Sequence, residues 1–405
     1  MATENNNKNL NVPNLRFPEF SGEWTKTLLN NYLEENKERN KRGIFTKNNV
    51  LSVSGDFGIV NQIELLGRSF AGKSVLDYHV VRAGNIVYTK SPLKEYPYGI
   101  VKVNGGVDGI VSTLYAVYKV KETANGKFVE YYFGLPNRTN RYFKPIVRIG
   151  AKHDMKIGND EVLANYVVFP CVDEQKRISD FICLLDERIA TQIKIIEKLE
   201  SLIRGIVETH YSNCQHKTKV KIADLGTPFT TMNMSKEDLS NDGNECVLYG
   251  ELFTTYGCVI NSIKSRTQLS IGSSTISQKN DLLFPASTTV DAMSLIAPSA
   301  ICKDGVILGG DLFGIHISKD YDSEYLSYLI NYIYKSHLAR FAQGSTIIHL
   351  HYSDIKNAII ELPSLSEQKY LASLMREVES KIVNEKNMLS KLEVQKAYLL
   401  SHLFI

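Results

Sequence analysis

The sequence lacks several features that define whole classes of protein. No run of about 18 apolar residues is present, which argues against a transmembrane helix. The segment from Met1 to Leu15 is polar and rich in asparagine, without the apolar core of a signal peptide. We therefore do not expect export and expect the chain to be cytoplasmic.

Cysteine is scarce and shows no pattern. None of the six cysteines forms a Cys-x-x-Cys pair or lies near a histidine at zinc-finger spacing. They are predicted to be small buried side chains without disulfide bonds. No protein metal site is predicted.

Motifs of common enzyme classes are also missing. The chain has no Pro-Pro dipeptide, so it lacks the Asp/Asn-Pro-Pro-Tyr/Phe motif of amino-methylation, and it has no G-x-S-x-G or H-E-x-x-H. With 405 residues, 43% hydrophobic and 22% charged, the composition is that of a globular protein of two or three domains. No catalytic residue is predicted.

An internal repeat organises what is present. Pro170 to Lys176 and Pro363 to Lys369 both have the pattern Pro-x-x-x-Glu-Gln-Lys, 193 residues apart. A long segment without proline follows each copy, and each carries apolar residues at alternating spacings of four and three, as in a coiled coil. The first stripe comprises Ile178, Ile182, Leu185, Ile189, Gln192, Ile196, Leu199, Ile203 and Ile206; the second comprises Leu371, Met375, Val378, Ile382, Glu385, Leu389, Leu392, Lys396 and Leu399.

The polar stripe positions Gln192 and Glu385 predict how the helices pair. In an antiparallel pair related by a pseudo-two-fold axis, the central positions face each other, so we expect these two side chains to lie close together. Asp173 and Ser366 are placed to cap the two helices. The alternative is two unrelated bundle helices, each packed on its own domain.

The repeat predicts an α+β chain with a pseudo-two-fold internal repeat: two mixed domains separated by two long antiparallel coiled-coil helices. Among the predicted elements are six strands and one helix. The predicted segments are a flexible tail 1–13, a first domain 14–169, a helix 170–209, a linker 210–219, a second domain 220–362 and a helix 363–405. The predicted strands include Val50–Val53, Asn61–Leu66, Leu114–Val120, Val129–Phe133, Cys246–Tyr249 and Leu312–Ile317, and the predicted helix is Ser323–Phe341.

Charge is distributed unevenly along the chain. Residues 1–165 carry 23 basic and 16 acidic residues, whereas residues 211–363 carry 12 and 15. The first block should therefore bind nucleic acid with a steeper salt dependence than the second. Clusters of Arg, Lys, Asn and Gln, with Ser, Thr and His, predict DNA contacts, although solvated basic loops are the alternative. The candidates are Lys37, Arg39, Lys41, Arg42, Asn137, Arg138, Asn140, Arg141, Lys264, Arg266, Gln268, Ser345, Thr346, His349 and His351, the two histidines alternating as on one face of a strand.

The segment Gly67 to Ser74 fits the P-loop pattern G-x-x-x-x-G-K-[ST]. A working P-loop needs a strand before it and a helix after it, but a turn follows soon, at Gly84. We favour a Gly-rich loop whose Arg68, Ser69 and Lys73 contact DNA phosphate. A P-loop nucleotide hydrolase remains the alternative.

Together these features resemble a known family. The opening Val12 to Trp24, the duplicated Pro-x-x-x-Glu-Gln-Lys helices and the Gly84-Asn-Ile-Val-Tyr88 segment resemble specificity subunits of type I restriction–modification enzymes. The resemblance covers the whole chain in layout and is weak inside the two blocks. Lys396 interrupts the second stripe, so the end of that helix is expected to splay or to bind a partner.

The resemblance implies a non-catalytic subunit that binds double-stranded DNA. It implies two target-recognition domains that each recognise half of a bipartite site, with the coiled coil setting the spacer. Two methyltransferase subunits would methylate adenine N6, and two restriction subunits would cleave unmodified DNA. S-adenosylmethionine, ATP and Mg²⁺ are then expected on those partners and no cofactor on this chain. A coiled-coil adaptor without DNA recognition is a further alternative.

Overall fold

The computed structural model describes residues 11–72, 74–92, 96–149 and 155–405. The chain folds into two compact units, which are described separately. The first unit comprises Met1–Gln192 and Met388–Ile405, and the second comprises Ile193–Asn387. Both units mix helices and strands, which confirms the predicted fold class.

The first unit is built around a sheet of order β2-β9-β6-β7. Short 3₁₀ turns lie at Leu29–Asn31, Lys47–Asn49 and Glu161–Ala164. Strands β1–β12 span Thr25–Leu28, Leu33–Glu35, Leu51–Ser54, Gly58–Asn61, His79–Val81, Ile86–Tyr88, Val101–Val103, Gly109–Val111, Ala116–Val120, Arg148–Ile149, Met155–Lys156 and Tyr166–Phe169, and helices α1–α4 span Gln62–Leu66, Gly126–Tyr132, Pro136–Phe143 and Val172–Asn213.

The second unit contains two five-stranded sheets, of order β14-β24-β20-β22-β17 and β15-β18-β16-β23-β19. Turns of 3₁₀ helix lie at Ile222–Asp224, Lys236–Asp238 and Ile271–Ser273, and a π-helical turn at Ile330–Tyr334. Strands β13–β26 span Thr218–Lys221, Gly226–Thr230, Leu239–Ser240, Asn244–Leu248, Val259–Ile260, Ser265–Thr267, Thr275–Ile276, Asp281–Pro285, Ser287–Thr288, Ser299–Ile301, Ile307–Gly309, Leu312–Ile317, Ile348–His349 and Ile359–Leu362, and helices α5–α10 span Glu251–Thr254, Ala292–Leu295, Ser323–Leu329, Lys335–Ala339, Tyr352–Ile355 and Leu365–His402.

The two units repeat the same internal architecture. Each has a two-stranded ribbon next to its long helix, and the registers Thr25↔Phe169 and Thr218↔Leu362 differ by the 193 residues of the sequence repeat. The strand order β2-β9-β6-β7 of the first unit corresponds to β14-β24-β20-β22 of the second. The sequence repeat is therefore a structural repeat.

The long helices α4 and α10 contribute to both units, with 42 and 38 residues. The apolar stripes predicted from the sequence lie on their buried faces, whereas Leu184 and Leu202, which lie off the stripe, are exposed. Gln192 is buried and Glu385 half-buried. Their pairing stays a prediction.

Ion pairs and core contacts give the relative direction of the two helices within each unit. In the first unit, Ile182 shares the core with Leu399, and the Asp186 carboxylate lies 2.6 Å from the Lys396 ammonium. In the second, Glu200 pairs with Lys386 at 2.8 Å and Cys214 contacts Glu367. In each unit, residue numbers increase along α4 while those of the contacting residues decrease along α10. The two helices are therefore antiparallel in each unit. Lys396 does not splay the end of α10 from α4, because it pairs with Asp186 and Leu399 beyond it lies in the core. The alternative, that this end binds a partner, stays a prediction.

The core of the first unit is mainly aromatic. Tyr88 and Phe143 stack with ring centroids 4.4 Å apart, and Phe128 meets Phe169 edge-on at 5.0 Å. Such pairs add about 0.5 to 1.5 kcal/mol to the free energy of burial. The second unit instead centres on aliphatic side chains, among them Val247, Leu283, Ile301 and Leu308.

The N-terminal segment that carries the family resemblance is held by the first repeat motif. The Arg16 guanidinium donates two hydrogen bonds, of 2.8 and 2.7 Å, to the Glu174 carboxylate, which is 1% exposed. The buried indole of Trp24 donates to the same carboxylate at 3.3 Å. The hydrogen bond to Glu174 raises the pKa of Arg16. The opening and the repeat motif, which are 150 residues or more apart in sequence, thus stabilise one another.

The glutamine of each repeat motif ties its long helix to a helix of the same unit. The buried Gln175 Oε1 accepts the backbone N–H of Asn125 at 2.9 Å, and Gln368 Oε1 accepts that of Asp322 at 3.1 Å. Asn125 and Asp322 are the N-cap residues of α2 and α7. The amide nitrogens of the two glutamines donate to carbonyls, including those of Pro170 and Pro363. We call this repeated arrangement the glutamine clamp.

Several sequence-based assignments differ from the structure. Helix α4 continues through His210 to Asn213 and β13 begins at Thr218, so the linker is shorter than the predicted 210–219. Val129–Phe133 was predicted as a strand, but α2 covers most of it because Asn125 accepts the Phe128 N–H and caps a helix. Asn61–Leu66 was also predicted as a strand, and here Asn61 caps α1.

Both predicted caps of the long helices are wrong. Asp173 lies inside the first turn of α4, where its charge favours the helix N-terminus without capping it. At α10 the capping residue is Ser364, not Ser366: its hydroxyl accepts the Glu367 N–H at 3.4 Å, and the Glu367 carboxylate accepts the Ser364 N–H at 3.0 Å. The Ser364 hydroxyl also donates to the Glu367 carboxylate at 2.7 Å, and this bond, together with that from the Ser364 N–H, lowers the pKa of Glu367.

Candidate nucleic-acid interface

The basic segment Lys37–Arg42 packs beside the loop that follows α1. Asn40 donates its backbone N–H to the Tyr78 carbonyl at 3.0 Å and its side-chain amide to the Val75 carbonyl at 3.2 Å. Phe45, three residues beyond the segment, and Ala71 both pack against the buried cluster that contains Val75. Two groups of candidates that are separate in sequence are therefore carried by neighbouring segments.

Contacts within the protein engage some of these cations more closely than others. Arg39 donates to the Asp77 carbonyl at 2.9 Å, and Lys41 pairs with the Asp77 carboxylate, whose pKa this hydrogen bond lowers. Lys37 is almost fully exposed and 3.9 Å from Glu35. Arg42 is exposed and makes no ion pair or hydrogen bond within the described part of the chain. Lys37 and Arg42 are the cations of this segment best placed to meet phosphate.

The loop after α1 presents a cation beside an exposed ring. Arg68 lies 4.5 Å from the centroid of Phe70, whose side chain is 57% exposed. Gln62 fixes the loop by accepting the Phe70 N–H at 2.7 Å and the Ser69 hydroxyl at 3.4 Å. An exposed aromatic ring with an adjacent guanidinium suits contact with nucleic acid.

The surroundings of Gly67–Ser74 differ from those of a P-loop. Helix α1 precedes it, where a P-loop requires a strand, and β5 follows after a turn, where a P-loop requires a helix. Lys73 lies outside the described residues. The Gly-rich loop interpretation fits this topology and the nucleotide-hydrolase alternative does not.

His79 beside this surface gives a pH-dependent prediction. Its imidazole is buried, and burial lowers its pKa from 6.5 to about 4. Between these values the unfolded chain binds the proton and the folded chain does not. The free energy of unfolding should therefore fall by about 2 kcal/mol from pH 7 to pH 5.

The measurement is urea unfolding at pH 7 and pH 5, followed by a probe in the first unit. His79→Gln should remove most of this difference, because glutamine does not titrate. An equal pH difference in the variant would show that His79 is not its source.

The candidate residues on helix α3 have two different roles. The Arg138 guanidinium donates to the carbonyls of Ile405, Leu400 and Phe404 at 3.0 to 3.1 Å, and burial lowers its pKa. It anchors residues 400–405, and each of its three nitrogens already donates one hydrogen bond to that segment. Asn137 and Arg141 are exposed and line a cavity of about 600 Å³ with Val12 and Phe404. Asn140 is half-buried, and its Oδ1 accepts no hydrogen bond from the residues that the structure describes.

In the second unit, the candidates on and next to β18 are partly engaged within the protein. Arg266 donates to the Gly243 carbonyl at 2.9 Å, and Gln268 donates to the Asp242 carboxylate at 2.7 Å. Lys264 is exposed and its ammonium makes no ion pair with the described residues. These contacts reduce what Arg266 and Gln268 can offer a ligand.

The remaining candidates lie on a different sheet of the second unit. Ser345 and Thr346 are exposed in the loop before β25. His349 lies in β25, whereas His351 precedes α9, so the prediction that both lie on one strand is wrong. Their rings stack 6.2 Å apart and border a cavity of about 550 Å³. Among the described residues, no group of three or more His, Cys, Asp or Glu side chains is arranged to hold a metal ion.

Comparison with known families bears on this arrangement. The family model of the type I restriction modification DNA specificity domain matches residues 215–394, which lie largely in the second unit. The match covers less than half of the chain, and it shows that residues 215–394 are similar to this specificity domain. No curated protein matches the sequence significantly.

Two solved structures have a fold similar to that of this chain over nearly its whole length. The S subunit of a type I restriction-modification system from M. genitalium is 12% identical, with a TM-score of 0.59, and the match covers 97% of this chain and 99% of that one. A chain from a study of complex assembly and conformational transition of the type I R-M system is 14% identical, with a TM-score of 0.55, and the match covers 94% and 97%. At such identities the likeness concerns the fold alone.

Sequence reasoning missed several exposed apolar residues around the specificity domain and in the first unit. Phe57, at the tip of the β3–β4 hairpin, is 67% exposed, and Val290, after β21, is 71% exposed. No periodicity marks such isolated side chains, and the only sequence indication is their position between turn-forming residues. Among the described residues, no helix is long and apolar enough to span a membrane.

Proposed function

We propose that the chain is the DNA specificity subunit of a type I restriction–modification complex. Its two units act as target-recognition domains, each recognising one half of a bipartite, asymmetric DNA site. The observation that carries this proposal is the repeat: ribbon, sheet order and glutamine clamp recur in both units. The specificity-domain match covers one copy of that repeat.

The length of the helices supports a spacer role. Modules that contact the same face of B-DNA lie about 34–36 Å apart, which is one helical turn. At 1.5 Å per residue, α4 and α10 are about 63 and 57 Å long, enough to hold two modules at that distance. The coiled coil then determines the number of unspecified base pairs.

In this proposal, methylation and cleavage are carried out by partner subunits. Two methyltransferase subunits bind S-adenosylmethionine and methylate adenine N6, and two restriction subunits use ATP and Mg²⁺ when unmodified DNA is cleaved. This chain contributes DNA recognition in the cytoplasm and no catalytic residue. Lys37, Arg42 and Arg68, exposed in the first unit, supply phosphate contacts.

The test is co-expression with the neighbouring methyltransferase, followed by genome-wide mapping of N6-methyladenine. A bipartite motif is the expected result. Methyltransferase binding without any methylated motif would favour an adaptor. ATP turnover by the isolated chain that is lost in Lys73→Ala would favour a hydrolase.

The same assay measures the spacer. Inserting four residues into both α4 and α10 adds about 6 Å to each helix, so the unspecified spacer should grow by one to two base pairs at about 3.4 Å each. The half-sites should stay the same, because neither recognition unit is altered. An unchanged spacer in a stable, active variant would refute the role of the coil.

A further inference from the structure

We infer that a partly exposed two-stranded ribbon of the second unit recognises base edges in the DNA major groove. The ribbon consists of residues 287–291, which begin with β21, and residues 343–349, which end with β25. The inference rests on the proposed function and identifies which surface of this unit determines sequence. It also assigns that surface to bases and not to phosphates.

The backbone holds the ribbon in one shape. Strands β21 and β25 pair in the register Ser287↔His349. Gln343 and His349 exchange two backbone hydrogen bonds, of 2.9 and 2.7 Å, which close the loop between them. Gly344 has φ +117°, and a Cβ there would lie 2.0 Å from the Ile347 carbonyl oxygen. The turn therefore requires glycine, and the loop is fixed before any ligand binds.

The ribbon carries several exposed polar side chains that are available for hydrogen bonds with a ligand. Thr289, Ser345, Thr346 and His349 are exposed, and none makes a side-chain hydrogen bond within the described part of the chain. Arg266 and Gln268, elsewhere in the same unit, donate to neighbouring residues instead. Hydroxyl groups and imidazoles bond readily to base edges, and a two-stranded ribbon has a width that the major groove admits.

Apolar side chains complete the recognition surface. Val290, after β21, is 71% exposed, and Ile347, before β25, is 49% exposed. An exposed apolar side chain can contact the methyl group of thymine, which only the major groove presents. Leu350, directly after the ribbon, is fully buried and anchors its base.

The charge of the ribbon indicates that it contacts bases and not phosphates. Residues 287–291 and 343–349 contain no lysine or arginine, and Asp291 carries the only carboxylate. Phosphate contacts rely mainly on such cations and supply the salt dependence of binding. The ribbon therefore contributes discrimination between sequences and little nonspecific affinity.

The experiment uses the full chain in its methyltransferase complex, with the triple variant Ser345→Ala, Thr346→Ala and His349→Ala. We expect one half-site of the methylated motif to lose preference at one or more positions, with discrimination falling about 5- to 150-fold. The other half-site and the spacer should stay as in the wild type. Thr255→Ala, an exposed hydroxyl of the same unit outside the ribbon, is the matched control and should leave the motif unchanged.

The other outcomes show whether the ribbon assignment or the proposed function is wrong. An unchanged motif in an active triple variant overturns the ribbon assignment. Equal loss of affinity for all sequences, with a smaller salt dependence, would assign the ribbon to phosphates and also overturn it. Absence of a bipartite motif in the wild type is instead a failure of the proposed function. If the triple variant fails to fold, the three single variants are tested in the same way.

Discussion

Gln175→Leu is expected to lower the free energy of unfolding of the first unit by about 3 kcal/mol. Leucine removes the acceptor of the Asn125 N–H and the donor to the carbonyls of Thr123 and Pro170. Gln175 is fully buried, so water does not replace these bonds. Gln368→Leu removes two bonds, to Asp322 and Pro363, and is expected to cost about 2 kcal/mol in the second unit.

The clamp variants also test how the recognition units are held. Each glutamine joins a long helix to the first turn of a helix in a recognition unit, so its loss should loosen that orientation. We expect methylation at spacers one base pair longer or shorter than the wild-type spacer. Urea unfolding measures the stability change, and methylation mapping measures the spacer.

Neighbouring lysines of the same motifs provide controls. Lys176→Leu and Lys369→Leu alter exposed positions and should change stability by less than about 0.5 kcal/mol. Gln175→Glu keeps the acceptor but buries a carboxylate against the carbonyl oxygens of Thr123 and Pro170, so at neutral pH it should destabilise the unit at least as much as Gln175→Leu. A stability of Gln175→Leu equal to that of Lys176→Leu would contradict the clamp.

Arg138→Met is expected to destabilise the first unit by about 3 kcal/mol. Three carbonyls near the end of α10 lose their shared donor, and Leu403 and Phe404, which lie in the core beside it, lose their anchor. Arg138→Lys should restore only part of the loss, since an ammonium cannot reproduce the planar fork of the guanidinium. Thermal and urea unfolding measure the effect.

Arg141→Met is the matched variant on the same helix. Arg141 is exposed, so its loss should change stability by less than about 0.5 kcal/mol and, if it contacts phosphate, should reduce the salt dependence of DNA binding by about one unit of slope. Arg138→Met should leave that slope unchanged in the folded protein. A stable Arg138→Met protein with reduced slope would instead return Arg138 to the set of DNA contacts.

Patterns that recur along the chain were predictable from the sequence. The repeat of 193 residues gave the two-unit organisation, and the register of the ribbons β1·β12 and β13·β26 follows it residue for residue. The stripes of α4 and α10 were predictable because burial on one face of a helix leaves a period in the sequence. Strand β24 was predicted with the bounds that it has.

Contacts between distant residues decided the rest. Val129 to Tyr132 have the composition of a strand, yet they are helical because Asn125 caps α2 and Gln175, fifty residues later, holds Asn125. Arg138 and Arg141 have the same residue type and share a helix, but only Arg138 faces carbonyls more than 260 residues away. The chain itself determined where cations, hydroxyls and helices occur, because propensity and periodicity are local properties. Only the tertiary structure decided which hydrogen-bond donors have partners inside the protein and which remain available for DNA. The physical reason is that the partner of a donor depends on the packing of the whole unit.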